Sequence, residues 1–158
     1  MIEIDYEVHV RDLGFPEGPV AMEDGAVAFV DLLHARIRRW HPDEGVSVLA
    51  ELDGAPNGMC RGPGGELWIA NNGGIAPEGP GRLRRAARPL TGGLQALDPR
   101  TGAVRTLTQG GIRPDRPNDV VVSPEGLAVF TDPQNWEILA SNPGAYLGGR
   151  VLIRREDG

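Results

Sequence analysis

The stretch RPNDVVVSPEGLAVFTD, residues 116–132, decides the fold because its plan occurs three times in the chain. A proline, an oxygen-bearing side chain and a small or acidic residue precede an apolar run, as they also do in FPEGPV at 15–20 and APNGMC at 55–60. The slot residues of this plan are Glu17, Asn57 and Asn118. A plan that recurs in a fixed register is typical of a repeat architecture.

Two further markers keep a constant distance from the slot. A glycine stands eight residues after each slot residue, at Gly25, Gly65 and Gly126. An aspartate or asparagine stands fourteen residues after it, at Asp31, Asn71 and Asp132. Between these markers lie AVAFV, ELWIA and LAVFT, which are rich in β-branched and aromatic residues and predict the second strand of a β-hairpin.

A second hairpin is predicted in each repeat. Its strands lie around ARIRRW, LQALD and RVLIRR, and its turns at HPDEG, DPRTG and REDG. Four strands per repeat indicate a blade of a β-propeller, so we predict an all-β chain with about three blades and an incomplete ring. The predicted units span residues 15–54, 55–115 and 116–158. A β-sandwich is the structural alternative, but it would not place the same polar slot three times in one register.

The second repeat is longer than the first because NNGGIAPEGPGRLRRAARPLTGG, residues 71–93, intervenes. We expect this insert to form a long loop on one face, where propellers tend to place binding elements. Its basic part, residues 82–90, is compatible with a phosphate-binding patch or a solvated surface loop, and we interpret it as a loop.

Composition favours a single β domain and argues against a nucleic-acid partner. The chain of 158 residues contains 23 Gly and 14 Pro, which interrupt helices and serve turns. Its net charge is −6, and its 16 basic residues are all arginine. This acidic balance predicts no nucleic-acid binding.

The single cysteine and the N-terminal sequence indicate the compartment. Cys60 alone cannot form an internal disulfide, and MIEIDYEV has neither a basic region nor an apolar run typical of a signal peptide. No long apolar segment suggests a membrane span. We therefore expect a soluble, cytoplasmic protein, with Cys60 as a small buried apolar residue.

The slot residues are candidate metal ligands. In a propeller the first strands of successive blades line the central channel, so residues at the same point of those strands converge near the axis. A carboxylate and amide oxygens suit a hard cation such as Ca²⁺. The alternative is that these side chains form turn hydrogen bonds. The repeat favours the metal for Glu17 and Asn118, whereas Asn57 stays open between the two interpretations.

Other candidate chemistry is weak. His9, His34 and His41 do not have metal-ligand spacing, and we expect them to be exposed strand or turn residues. The chain has no G-x-S-x-G nucleophile motif and no phosphate-binding G-x-x-x-x-G-K-[ST] motif.

FPEGPV, APNGMCRGPGGELWIANNGG and RPNDVVVSPEGLAVFTDP together resemble the senescence-marker-protein/gluconolactonase/luciferin-regenerating-enzyme-like family of six-bladed β-propellers. The resemblance implies a divalent cation on the axis, Ca²⁺ or alternatively Zn²⁺, and hydrolysis of lactones or, in related branches, phosphotriesters. By position Glu17 and Asn118 match metal ligands, and Arg116 matches an arginine that contacts substrate hydroxyls. Asn57 is assigned with Arg116 to substrate binding, and Asp119 to a supporting role beside Asn118.

The resemblance also implies metal ligands that residues 1–158 do not contain. The family's remaining ligands are an asparagine and an aspartate that is the candidate general base, and both are expected beyond Gly158. Residues 1–14 correspond to an N-terminal closing strand. The predicted function is metal-dependent hydrolysis of a small lactone by a truncated, gluconolactonase-like chain. The alternatives are a non-catalytic binding or scaffold propeller, an inactive remnant, or a homodimer of two chains that completes the ring.

Overall fold

A computed structural model describes residues 5–79, 82–107, 111 and 113–154 of the chain. Strands dominate this part of the sequence, and the only helical segments within it are short 3-10 turns. The first sheet comprises β1 Pro16–Ala21, β2 Val27–Asp31, β3 Arg36–His41 and β4 Gly45–Glu51. The second comprises β5 Pro56–Arg61, β6 Leu67–Asn71, β9 Gly93–Leu97 and β10 Val104–Thr106. The third comprises β11 Val120–Val122, β12 Ala128–Asp132 and β13 Arg150–Arg154.

All three sheets are antiparallel, and the strands of each follow one another in chain order. This meander confirms the predicted all-β fold of propeller type, and the three sheets do not close a ring. Residues 5–14 pair with no strand, so their role as a closing strand stays a prediction. The predicted turn at 155–158 lies outside the described residues.

Two apolar layers hold the sheets face to face. One layer joins the first and second sheets through side chains such as Val30, Ile37 and Ile69. The other joins the second and third sheets through side chains such as Leu94 and Phe130. The second sheet is therefore covered on both faces, which is why every residue of β6 is buried. In a strand covered on one face, burial alternates from residue to residue.

The insert of the second repeat differs from the loop that its sequence predicts. Within it β7 Ile75–Gly79 and β8 Arg82–Arg85 form a two-stranded antiparallel hairpin. The buried side chain of Asn72 starts the hairpin, because its Oδ1 accepts from the backbone nitrogens of Gly74 (3.0 Å) and Ile75 (2.9 Å). Its Nδ2 donates to the Ile75 carbonyl at 2.6 Å. This side chain replaces backbone partners at the point where β6 ends.

In each sheet the connection between the second and third strands lies at the end where the first strand begins, which is also where the slot residue stands. We call this end of the sheets the slot face. They span residues 32–35 in the first sheet, 72–92 in the second and 133–149 in the third. The first contains the 3-10 turn Leu32–His34, and the third contains the 3-10 turns Trp136–Ile138 and Pro143–Ala145. Long loops over one end of a propeller are where binding elements are usually found.

Over the described ranges, no helix has the length and apolar character required to cross a membrane.

Candidate functional site

The slot residues of the first two sheets stand at β-bulges. In the first sheet Glu17 pairs with Val30 and Val20 with Ala28, so β1 carries one more residue than β2 between these pairs. In the second sheet the same irregularity falls at the same repeat position, between Pro56 and Met59. A bulge bends the strand and redirects its side chains, so the slot residues do not follow the simple alternation of their strands.

The third sheet repeats this bulge through explicit hydrogen bonds. The Asn118 nitrogen donates to the Thr131 carbonyl at 2.9 Å, and the Thr131 nitrogen donates to the Asp119 carbonyl at 3.0 Å. Two residues of the inner strand thus face one residue of its partner. The Asp119 backbone nitrogen also donates to the Thr131 hydroxyl oxygen Oγ1 at 3.1 Å.

Close backbone packing places the three slot segments side by side. A Cβ atom added to Gly18 would meet the Met59 nitrogen and would lie 3.0 Å from the Gly58 carbonyl carbon. A Cβ added to Gly58 would lie 2.6 Å from the Asp119 Cα and 2.8 Å from the Asn118 carbonyl oxygen. The Gly58 nitrogen donates to that same oxygen at 2.6 Å. Glycine after the slot therefore lets neighbouring inner strands touch.

The slot side chains differ in burial, but all three lack a polar partner among the described residues. Glu17 and Asn57 are partly buried, and Asn118 is exposed. Within the described ranges, none of these three side chains forms a hydrogen bond or ion pair. In the same ranges no three His, Cys, Asp or Glu side chains come together as a metal-binding group. The available donors are one carboxylate and two amide oxygens, a set that fits a hard cation and offers nothing to a thiophilic metal.

Buried polar side chains at the ends of the second strands fix the residues that lead into the slot. Asn71 Oδ1 accepts from the Ala55 nitrogen at 3.0 Å. Asp132 Oδ1 accepts from the Arg116 nitrogen at 2.7 Å, which is the same repeat position. Both side chains are fully buried. In the second and third sheets the marker fourteen residues after the slot therefore holds the chain two residues before the slot.

The buried polar residue at the end of each second strand contacts a side chain of the third strand in the same sheet. Asp31 lies 3.0 Å from the Nε atom of Arg38, and Asp132 pairs with Arg150. Asn71 instead donates to Gln95 Oε1 at 3.0 Å. Burial raises the pKa of Asp132, but the hydrogen bonds from the Arg116 nitrogen and the Arg150 guanidinium outweigh burial and leave that pKa below its ordinary value of 3.8.

Arg116, a predicted substrate contact, is paired inside the site. Its guanidinium donates to Glu137 Oε1 at 2.9 Å and to Asp115 Oδ1 at 3.0 Å. Burial raises the pKa of Glu137, but the hydrogen bond from Arg116 and the nearby positive charges outweigh burial, so the pKa lies below its ordinary value. Among the described residues, the buried atoms Arg116 Nε and Glu137 Oε2 have no partner.

Glu137 is a partner of Arg116 that the sequence did not indicate. It lies in the 3-10 turn Trp136–Ile138 of the connection after β12, outside the repeated plan. Only its closeness to Arg116 in the folded chain identifies it, because the two residues are 21 positions apart and share no sequence motif. The Arg85 side chain of the insert lies near enough to add to the lowering of the Glu137 pKa.

Cys60 agrees with its interpretation as an apolar side chain. It is partly buried and packs against the layer between the second and third sheets. Burial raises the pKa of its thiol to about 11, and the Asp119 carboxylate adds to the rise. The thiol is therefore protonated at neutral pH, whereas a nucleophilic cysteine needs a thiolate.

Comparison with known sequences identifies relatives. A profile of the family described as the SMP-30/Gluconolactonase/LRE-like region matches residues 15–150. A gluconolactonase of Zymomonas mobilis subsp. mobilis (strain ATCC 31821 / ZM4 / CP4) is 30% identical over 143 residues, which cover 80% of this chain and 35% of that protein.

Comparison with solved structures identifies the same kind of fold. A gluconolactonase of Xanthomonas campestris superposes with a TM-score of 0.66 at 22% identity, over 92% of this chain and 46% of that one. An aldose sugar dehydrogenase of Streptomyces coelicolor, solved with PQQ bound, gives a TM-score of 0.62 at 16% identity, over 96% of this chain and 48% of that one. The chain spans about half the length of these solved relatives and a smaller share of the curated one.

Proposed function

The chain belongs to the SMP-30/gluconolactonase/LRE-like family, and we propose that it contributes a cation-binding, substrate-recognising face to the hydrolysis of a small lactone. The observation that carries this proposal is the set of three slot side chains on adjoining inner strands, each without a protein partner among the described residues. Glu17, Asn57 and Asn118 supply oxygen atoms only. The relatives named gluconolactonase give the reaction class.

Glu17 and Asn118 would hold a divalent cation, Ca²⁺ in preference to Zn²⁺, because both offer oxygen and neither nitrogen nor sulfur. Such a cation supplies Lewis-acid polarisation of a carbonyl oxygen. Three protein oxygens are fewer than the six to eight that Ca²⁺ takes, so water or further ligands would complete its coordination. Asn57 stands between the other two strands and would either bind the cation or contact the substrate.

Arg116 and Glu137 would recognise the hydroxyl groups of the substrate. Their mutual ion pair fixes both side chains, and Asp132 fixes the Arg116 backbone. The Arg116 side chain is 23% exposed, and its guanidinium has five N–H donors, more than its contacts with Asp115 and Glu137 use. A substrate hydroxyl group can accept from such a donor, and a site built to hydrogen-bond a hydroxyl group discriminates against ligands that lack one. This arrangement favours a hydroxylated lactone over an unsubstituted one.

The test of the cation site is calorimetric titration of the chain with CaCl₂ and, separately, with ZnCl₂. We expect Ca²⁺ uptake that Glu17→Gln and Asn118→Ala each weaken by about 10- to 100-fold or more, since even the outer partners of metal ligands contribute this much. Glu23→Gln is the matched control. Glu23 lies just beyond the end of β1 that is far from Glu17, and it pairs with Arg61. Equal affinity in all variants, or no uptake, would favour a binding or scaffold propeller without chemistry.

The test of the reaction is hydrolysis of a lactone panel that pairs hydroxylated and unsubstituted rings, with and without Ca²⁺. We expect Ca²⁺-dependent turnover of hydroxylated rings that Arg116→Gln impairs chiefly through a higher KM. Ca²⁺ binding without turnover would limit the proposal to recognition. Turnover that is indifferent to both Ca²⁺ and chelator would contradict it.

A further inference from the structure

A small cavity lies on the slot face, between the first sheet and the insert. Its volume is about 140 Å³, and its floor is the turn 32–35 and the connection 52–55. Ala76 and the segment 84–88 of the insert cover it. Cavities of about 150 Å³ in proteins hold a single six-membered ring. None of the slot residues lines this cavity.

The polar wall of the cavity is a histidine fixed by a buried carboxylate. His34 Nδ1 lies 2.9 Å from each carboxylate oxygen of Asp31, whose side chain is fully buried. Arg38 lies beside the same carboxylate, with Nε at 3.0 Å. A carboxylate next to an arginine accepts hydrogen bonds and does not donate them, so the proton of the neutral imidazole lies on Nδ1. The lone pair of the ring is then on Nε2.

The orientation of this ring is restricted by the chain that enters β1. A Cβ atom at Gly14 would lie 2.8 Å from His34 Nδ1 and 2.9 Å from Cε1, so the glycine backbone packs directly on the imidazole. The side chain of His34 is nevertheless 49% exposed. Over the described ranges its Nε2 atom has no hydrogen-bond partner. His34 is one of the residues that line the cavity, and Nε2 is the ring atom that remains available as an acceptor.

The opposite wall contains two arginines and the carboxylate of Asp53. Arg84 donates to the Leu33 carbonyl, which holds the insert against the turn. Arg88 lies with Nε 2.7 Å from Asp53 Oδ1. Each guanidinium has five N–H donors, so both arginines keep donors beyond these contacts. The remaining lining is largely alanine and leucine. A ligand for this cavity needs a hydroxyl group for His34 and an anionic group for the arginines.

We propose that this cavity binds a hydroxy acid of single-ring size, with a hydroxyl group donating to His34 Nε2 and the carboxylate accepting from Arg88. Asp31 is the positioning residue of the pair, because it selects the tautomer that leaves Nε2 free. Opening a hydroxylated lactone yields a ligand of this class, and that link alone rests on the proposed function. The binding site stands on its own residues.

The experiment is nuclear magnetic resonance of the full chain labelled at histidine, titrated with gluconate in the absence of divalent cations. We expect the ¹⁵N shifts of His34 to show a proton on Nδ1 and none on Nε2, and its ring resonances to move saturably with gluconate. Glucitol, which lacks the carboxylate, and propionate, which lacks the hydroxyls, are expected to bind at least about threefold more weakly, the effect of a single net hydrogen bond.

Variants separate this site from a surface effect. His34→Gln is expected to weaken gluconate binding by about tenfold at most, because it removes one fixed hydrogen bond. His41→Gln is the matched control, since His41 ends β3 on the opposite face and does not line the cavity. Arg88→Gln is expected to abolish the preference for gluconate over glucitol.

The direct shift measurement on the unmodified chain keeps the proposal testable even where a variant fails to fold. His34 resonances that stay still at saturating gluconate, or a proton found on Nε2, would overturn it. Neither result depends on Ca²⁺ uptake or on lactone turnover, so failure of the proposed function is recognised separately.

Discussion

The second and third sheets share a repeat but differ in their surroundings. The second has a sheet packed on each face, and all five residues of β6 are buried. The third has a neighbour on one face only, and burial alternates along β12. Its other face exposes Val121 (56%), Val151 (68%) and Ile153 (56%). Similar sequences thus produce a core strand or a half-exposed strand according to their neighbours, and the apolar residues alone do not distinguish the two.

The largest difference between the two sheets is expected when the same side-chain volume is removed from each. Ile69 is 0% exposed in the second sheet, and Ile153 is 56% exposed in the third. We expect Ile69→Ala to lower the free energy of unfolding by about 2–5 kcal/mol, because it leaves a cavity that its surroundings fill only in part. The matched change Ile153→Ala should cost no more than about 0.5 kcal/mol.

Urea unfolding followed by circular dichroism measures both changes. Equal losses in the two variants would mean that the outer face of the third sheet is covered in solution, and the comparison would fail.

A smaller effect is expected where the second and third sheets meet at their inner strands. Gly58→Ala would bring a methyl group to 2.6 Å from the Asp119 Cα, so the backbones must separate. We expect a loss of about 1–3 kcal/mol, as for overpacked interiors. Gly144→Ala is the control, because its nearest neighbour beyond the adjoining residues is the Asn142 side chain at 3.9 Å.

The same two variants also test how the packing of the inner strands affects the candidate cation site. Because Gly58 keeps the Asn57 and Asn118 strands in contact, Gly58→Ala should also weaken Ca²⁺ uptake in the calorimetric titration. Thermal stability that equals that of Gly144→Ala would show that the inner strands are not tightly packed in solution.

The smallest effect concerns charge. Asp132 in the third sheet and Asn71 in the second hold the same backbone position, but only Asp132 titrates. Its pKa is lowered in the folded chain, so its contribution to stability is present above the unfolded pKa and is lost as the pH falls below about 4. We expect Asp132→Asn to cost about 1–2 kcal/mol at pH 7 through the weaker hydrogen bonds of a neutral acceptor.

Below pH 4 the difference between wild type and Asp132→Asn should shrink, and urea midpoints measured from pH 7 to pH 3 check this. The Glu137 carboxylate, whose pKa is also lowered, will add an acid-labile contribution that the variant retains. A difference that grows on acidification would contradict the sign.

Part of this structure could be predicted from the sequence because it depends on local pattern. The fixed spacing from Glu17 to Gly25 and Asp31 predicted the hairpin, and its recurrence predicted the blades. The hairpin within the insert was missed because the side chain of Asn72, rather than a β-branched run, starts it. The pairing of Arg116 with Glu137 was missed because a loop outside the repeat brings them together.

His34 shows the same limit. As a turn residue it was expected to be exposed, and half of its side chain is. It forms hydrogen bonds to Asp31, and Gly14 packs against both side chains, a contact that no periodicity in the sequence encodes. Sequence patterns report which face a side chain takes, whereas the partners of polar side chains depend on chain segments that meet only after folding.

The buried residue that ends each second strand has a genetic consequence. Codons for aspartate and asparagine differ by a single base, so the two are readily exchanged by mutation. In this chain, however, the aspartates Asp31 and Asp132 have arginine partners, whereas Asn71 donates to Gln95. A drift from one to the other would leave an arginine or a glutamine mismatched inside the protein, so divergence of the blades at this position must proceed by paired changes.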